Sequence, residues 1–177
     1  MDKRKAENIR VKNAIVTTLF QLTEKKELSK ITITELIKKA HVARASFYRN
    51  YSSKTDVLVT LVHDILQDFR ETADYDLSQV YSLHHVRRSF SYFQQYRELV
   101  LNVCRAGQAM MLLDELNQFH VEIAGNMPST STSRYTLNIY VGALFNTALS
   151  WLQDENAVDL EDISRLFTSV WAPFLNE

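Results

Sequence analysis

Glycine and proline are nearly absent from this chain, and that scarcity constrains its fold class. Its 177 residues hold three Gly and two Pro, and the first Gly is Gly107. A β-sandwich or barrel uses such residues at many of its turns, whereas long helices do without them. Apolar residues recur at helical spacing over most of the length. The expected fold is all-α, and a 46% hydrophobic content is enough for a real core.

Residues 6–27 read as a first helix, with Ile9, Ala14, Ile15, Leu19 and Leu22 at helical spacing and Lys and Arg between them. Leu28-Ser29-Lys30 breaks the pattern. Thr32 and Glu35 then make a capping-box pair, in which the hydroxyl caps one free amide and the carboxylate another. Ile33, Leu36, Ile37 and Ala40 give the short helix that follows its buried face. His41-Val42 is a turn, and residues 43–50 form a second short helix anchored by Val42 and Phe47. Ser53 and Asp56 repeat the capping box before a long helix from Lys54 to about Ala73. Further helices are expected over 83–95, 96–106, 109–125, 133–154 and 159–175, with residues 127–133 as a polar connector. Asp159, Glu161 and Asp162 at the start of the last helix suit its dipole.

The second short helix carries Arg44, Ser46, Tyr48, Arg49 and Asn50, all hydrogen-bonding types. Such a helix fits the DNA major groove, where base edges and phosphates offer partners. Residues 1–54 hold 13 Lys and Arg against 5 Asp and Glu, a net of +8. The other 123 residues hold 7 Arg and no Lys against 16 Asp and Glu, a net of −9. This division suits a polyanion-binding head on a body that avoids the polyanion. Lys3, Arg4 and Lys5 precede the first helix, as an arm for a groove or phosphate or as a solubilising end.

Three segments carry a likeness: Thr32-Ile-Thr-Glu-Leu-Ile-Lys-Lys-Ala, Val42-Ala-Arg-Ala-Ser-Phe-Tyr-Arg-Asn-Tyr and Ser53-Lys-Thr-Asp-Val-Leu. In order and spacing they resemble the TetR family of bacterial transcriptional regulators, over roughly residues 8–60. The Phe47-Tyr48 pair, with Lys54 six residues after Tyr48, is the most specific part. The resemblance implies a three-helix helix-turn-helix DNA-binding domain over residues 1–53. It implies a helical ligand-binding and dimerisation domain over residues 54–177.

At the matching positions Arg44 and Ala45 would read bases. A bidentate Arg44–guanine contact is worth about 1–3 kcal/mol of discrimination. Ser46, Tyr48 and Lys54 would hold phosphates, and Thr32 and Thr34 would approach the other strand's backbone. Arg49 and Asn50 are either further contacts or a solvated face. Two departures stand out. His41 occupies a turn position where the family often has Gly, and Ala43 lacks the hydroxyl with which a Ser or Thr would cap the next helix.

The implied function is a repressor that binds a palindromic double-stranded DNA operator as a homodimer and is released by a small apolar or aromatic effector. Phe69, Phe93, Met110, Met111, Tyr140 and Leu144 are the candidate pocket lining, although a stripe of this kind is also what a plain core looks like. Ile139, Gly142, Ala143 and Asn146, with Ile163, Phe167, Val170 and Trp171, are the candidate dimer interface, two helices from each protomer making a four-helix contact. The alternative is a TetR-fold coactivator or adaptor whose C-terminal domain binds another protein. An enclosed pocket would favour the effector, and an exposed apolar patch the adaptor.

Enzyme chemistry is not expected, because no Gly-rich phosphate loop, nucleophile elbow or metal-ligand spacing is present. His84 and His85 are adjacent and point apart on a helix. His120 has apolar Leu116 and Ala124 at i±4, so neither metal nor cofactor is expected. Lone Cys104 excludes an intramolecular disulfide. No secretory leader or membrane-length apolar run is visible, which makes a cytoplasmic location the default.

Overall fold

The computed structural model describes residues 3–125 and 131–171. Among these residues the chain is all-helical. Its helices are α1 Lys3–Thr23, α2 Ile33–Lys39, α3 Arg44–Asn50, α4 Lys54–Glu71, α5 Leu83–Gln95, α6 Arg97–Arg105, α7 Ala109–Ile123, α8 Ser131–Gln153 and α9 Leu160–Trp171, with a 3-10 turn at Leu28–Lys30. The first helix starts earlier and ends earlier than expected, and Lys3, Arg4 and Lys5 belong to it and do not precede it. Ser131 and Thr132, expected in the polar connector, are helical. Residues 127–130 of that connector and residues 172–175 of the expected last helix lie outside the described residues.

The chain divides into two compact units. One comprises Met1–Asp64 with Asn102–Ala109, the other Ile65–Leu101 with Met110–Glu177. The division differs from the expected boundary at 53/54, because the first part of α4 goes with the first unit. There Val57 and Leu58 are fully buried, and Lys12 Nζ lies 3.7 Å from Asp64 Oδ2.

In the first unit α1, α2 and α3 pack on one another. Ile15, Leu19 and Leu22 of α1, Leu36 and Ile37 of α2 and Phe47 of α3 form the core, with Leu28 and Ile31 of the intervening segment. The capping boxes form on their hydroxyl sides: Glu35 N–H donates to Thr32 Oγ1 at 3.1 Å, and Asp56 N–H to Ser53 Oγ at 3.0 Å. The carboxylates have other partners. Both Glu35 oxygens lie 2.6 Å from Lys26 Nζ, and that ammonium holds the Glu35 carboxyl below its usual range. Asp56 Oδ2 accepts from the Ser52 amide at 2.6 Å and hydroxyl at 2.9 Å.

Helix α2 ends in a Schellman turn. Val42 N–H donates to Ile37 O at 3.0 Å and His41 N–H to Lys38 O at 3.3 Å, with His41 at φ +53°. Helix α6 ends the same way on Gly107, at φ +76°, with Gln108 N–H on Val103 O at 3.1 Å and Gly107 N–H on Cys104 O at 2.9 Å.

The second unit is built around α5, which packs on α8 and α9. Its N-terminus is capped by Ser82, whose Oγ accepts from His85 N–H at 3.2 Å. Its inward face carries Val86, Ser89, Phe90 and Phe93. Phe90 meets Trp151 and Phe167 edge-on, with ring centroids 5.7 and 5.8 Å apart. Trp151 Nε1–H closes the α8–α9 loop on Val158 O at 2.7 Å, and Arg97 Nε–H ties α6 to Leu152 O at 3.0 Å. No helix among the described residues is long and apolar enough to cross a membrane.

Candidate nucleic-acid interface

Helix α3 presents two faces because Phe47 and its neighbours alternate in character. Phe47 is fully buried and packs against Tyr51 and the edge of Tyr48, with centroids 5.9 and 5.3 Å apart. Burial pushes the Tyr51 phenol up to about 12, so Tyr51 is a neutral member of that core. Arg44, Ala45, Tyr48 and Arg49 are exposed, and Ser46 and Asn50 half-buried. Thr32 and Thr34 of the α2 start are exposed as well. The short helix therefore offers solvent a cationic and hydroxyl-bearing surface on an apolar anchor.

Arg44 lies along Tyr48 one helical turn on. Its Nη2–H donates to the Tyr48 hydroxyl at 3.3 Å, and its guanidinium carbon stands 5.2 Å from the ring centroid. This cation–π contact pre-orders a long side chain at the surface. Ala43, at the N-cap of α3, makes no side-chain cap, as its missing hydroxyl requires. Two expected contacts find other employment. Asn50 Nδ2–H folds back onto Ser46 O at 2.8 Å, and the Lys54 ammonium turns inward onto the backbone carbonyls of Leu28, Ser29 and Ile31. Lys38 and Lys39 are also exposed, in the last turn of α2, and the basic pair in the sequence marks them.

In the second unit the candidate pocket residues take different positions. Phe69, Phe93, Tyr140 and Leu144 are buried, Met111 is half-buried, and Met110 is 67% exposed. Phe69 lies edge-on to Phe119, Tyr92 and His85, with centroids 4.9–5.7 Å apart. The Tyr140 hydroxyl donates to Val80 O at 2.6 Å. Of the candidate dimer residues, Ile139, Asn146 and Val170 are exposed and Gly142, Ala143 and Trp171 half-buried. Ile163 and Phe167 are instead buried in their own protomer, Phe167 against Phe90 and Tyr140. The α9 stripe is wide enough to serve two faces, and these two residues take the inner one. Leu166, one position before Phe167, is exposed.

His120 has a partner that its own helix could not reveal. Its Nε2 lies 3.5 Å from His85 Nε2 of α5. His120 Nδ1–H must donate to Leu116 O at 2.8 Å, because a carbonyl only accepts. His120 Nε2 is then the acceptor, His85 Nε2–H the donor, and His85 Nδ1 accepts from the Tyr75 hydroxyl at 3.1 Å. Burial lowers the His85 imidazole to about 3 and that of His120 to about 4, with the neighbouring His120, Arg88 and His84 adding to the His85 shift. Both rings are neutral at pH 7. Among the described residues no group of three or more His, Cys, Asp or Glu side chains is placed to hold a metal.

No protein-family model matches this sequence, and no curated protein matches it. Solved structures do. Lin0861 from Listeria innocua superposes with a TM-score of 0.76 at 18% identity, covering 99% of this chain and 94% of that one. A TetR transcriptional regulator from Streptococcus agalactiae 2603V gives 0.62 at 18% identity, over 94% and 96% of the two chains. A TetR transcriptional regulator from Rhodococcus sp. RHA1 gives 0.57 at 20% identity, over 99% and 100%. Over nearly its whole length, then, this chain has the TetR regulator fold.

Proposed function

We propose that this chain is a transcriptional repressor that binds a palindromic DNA operator as a homodimer and is released by a small apolar or aromatic effector. The observation that carries the reading is helix α3. Phe47 holds it by one face, while Arg44 and Tyr48 stand outward on the other, within a unit whose segment 1–54 has a net charge of +8. Arg44 and Ala45 are the base readers. Ser46, Tyr48, Thr32 and Thr34 are the phosphate and backbone contacts, and Arg49 lies beside them. One seven-residue helix reads few bases, so a two-fold dimer doubles the site. Tyr135, Ile139 and Asn146 of α8 and Leu166 and Val170 of α9, all exposed, are the surface offered to a partner protomer. The protein acts in the cytoplasm and is not an enzyme.

An adaptor with the same DNA-binding head is the second reading. It is favoured by Met110 and Val121, both exposed, eleven residues apart and so on one side of α7.

The test is selection of bound sequences from a randomised duplex pool, followed by anisotropy titrations from about 50 to 200 mM salt. Enrichment of a palindrome with a steep salt dependence is expected. Arg44→Ala should relax preference at one base position and cost about 1–3 kcal/mol there. Tyr48→Ala should weaken all sequences alike. Weak binding that ignores sequence and both substitutions would discard the repressor and adaptor readings together.

A further inference from the structure

Lys54 is the first residue of α4, where a cation opposes the helix dipole. An ammonium has three N–H donors and no acceptor. Here three carbonyls stand within reach of Nζ: Leu28 O at 2.7 Å, Ser29 O at 3.3 Å and Ile31 O closer still. Leu28 and Ser29 belong to the 3-10 turn, and Ile31 is the residue that caps it. Leu28 O also accepts from Ile31 N–H at 3.2 Å, so the ammonium is its second partner. Both ends of the contact are anchored. Leu28 and Ile31 are core residues on one side, and Val57 and Leu58 on the other.

We propose that Lys54 is a positioning residue for DNA binding: its ammonium clasps the 28–31 carbonyls and so closes the loop 28–54, which presents the DNA-reading residues. This rests on the DNA-binding function proposed above. Thr32, Thr34, Arg44, Ala45, Ser46 and Tyr48 all lie inside that loop, between two points that the clasp holds together. With its donors spent on carbonyls, Lys54 is not a phosphate contact. Charge-assisted bonds of this kind are roughly twice as strong as neutral ones. Closing a 26-residue separation removes chain freedom that would otherwise blur the placement of α3.

Two substitutions separate the possibilities. Lys54→Met keeps the stem and removes the donors. Lys54→Arg keeps the charge, but a planar fork does not converge on three carbonyls as an ammonium does. Operator affinity is measured across salt at a temperature where circular dichroism shows each variant folded. Both variants should lose affinity about tenfold, with the salt slope of the wild type. If Arg retained affinity while Met lost it, with a slope lower by about one, Lys54 would be a phosphate contact and the proposal would be wrong. Unchanged affinity in both would reduce the clasp to a stabilising contact and overturn it as well.

Should the variants not fold, wild-type protein is labelled with acetic anhydride and followed by mass spectrometry, with and without operator DNA. Lys54 should react far more slowly than exposed Lys30, and equally slowly in both states. Rapid labelling in free protein, lost only on DNA, would refute the clasp. Because labelling of free protein needs no operator, a failure of the DNA-binding reading is distinguishable from a failure of the clasp.

Discussion

At φ +53° His41 occupies the left-handed region that glycine enters freely. Gly107 serves the same Schellman turn at the end of α6. A Cβ in that region costs roughly 1–2 kcal/mol, partly offset because glycine gives up more freedom on folding. His41→Gly is therefore expected to stabilise the protein by up to about 1 kcal/mol, read as a higher urea midpoint at unchanged slope. A lower midpoint would mean that the exposed imidazole makes a contact worth more than the strain. The residues legible in the sequence are those whose partners lie three or four positions away. Thr32 with the Glu35 amide and Ser53 with the Asp56 amide are of this kind, as is the inward Phe47. The Lys54 ammonium reaches carbonyls 23–26 residues back, and no periodicity carries that information. The charge of Lys54 suggested a phosphate, whereas the proposed clasp starts from its hydrogen bonds to the backbone.

Pairs of elements show the same limit. The existence and order of the helices followed from apolar spacing, but which helix meets which depends on tertiary packing. His85 and His120 lie 35 residues apart, and no motif joins them. Their hydrogen-bonded chain ties the start of α5 to α7 and has a pH signature. Both imidazoles are held well below the ordinary histidine value, near 3 and 4. The unfolded chain therefore takes up protons below about pH 6.5 that the folded chain refuses. The stability is present in full above pH 6.5 and is lost as pH falls toward 4, at up to about 1.4 kcal/mol per pH unit for each histidine. His120→Gln keeps an acceptor for His85 and removes one of the two titrations. Its unfolding free energy should fall less between pH 7 and pH 5 than that of the wild type, by urea titration. Equal falls would show that His120 is not the group responsible. The α9 stripe is another case. Its apolar spacing was plain, yet Ile163 and Phe167 turned inward and Leu166 outward, because α5 lies along only one side of it.

Across the whole chain, a basic segment 1–54 is followed by an acidic remainder, so the proposed DNA reader and the proposed assembly surface lie in segments of opposite net charge. The dimer proposal is tested on residues that their own protomer leaves exposed. Ile139, 64% exposed, and Leu166, 59% exposed, can be changed together to Glu without disturbing a core. The doubly substituted chain should keep its helical content and run as a monomer by light scattering. Its operator affinity should fall by about a hundredfold or more as the second half-site is lost. A dimer that survives would place the contact on another surface. The proposed DNA-reading face was legible in the sequence as one local segment, the exposed side of α3. The proposed assembly face was less legible, because small and apolar residues on α8 and α9 serve inner and outer packing alike.

The two tryptophans give the molecule its own optical labels. Trp151 is fixed to Val158 O by its indole N–H, and Trp171 stands 5.3 Å from Tyr140, both in the second unit. Indole emission therefore follows the second unit and is silent about helices α1 to α3. Heating followed by fluorescence reports the melting of one half, while ellipticity at 222 nm reports both. A compound that enters the second unit can be found by its effect on that emission, with no dye attached and no operator known.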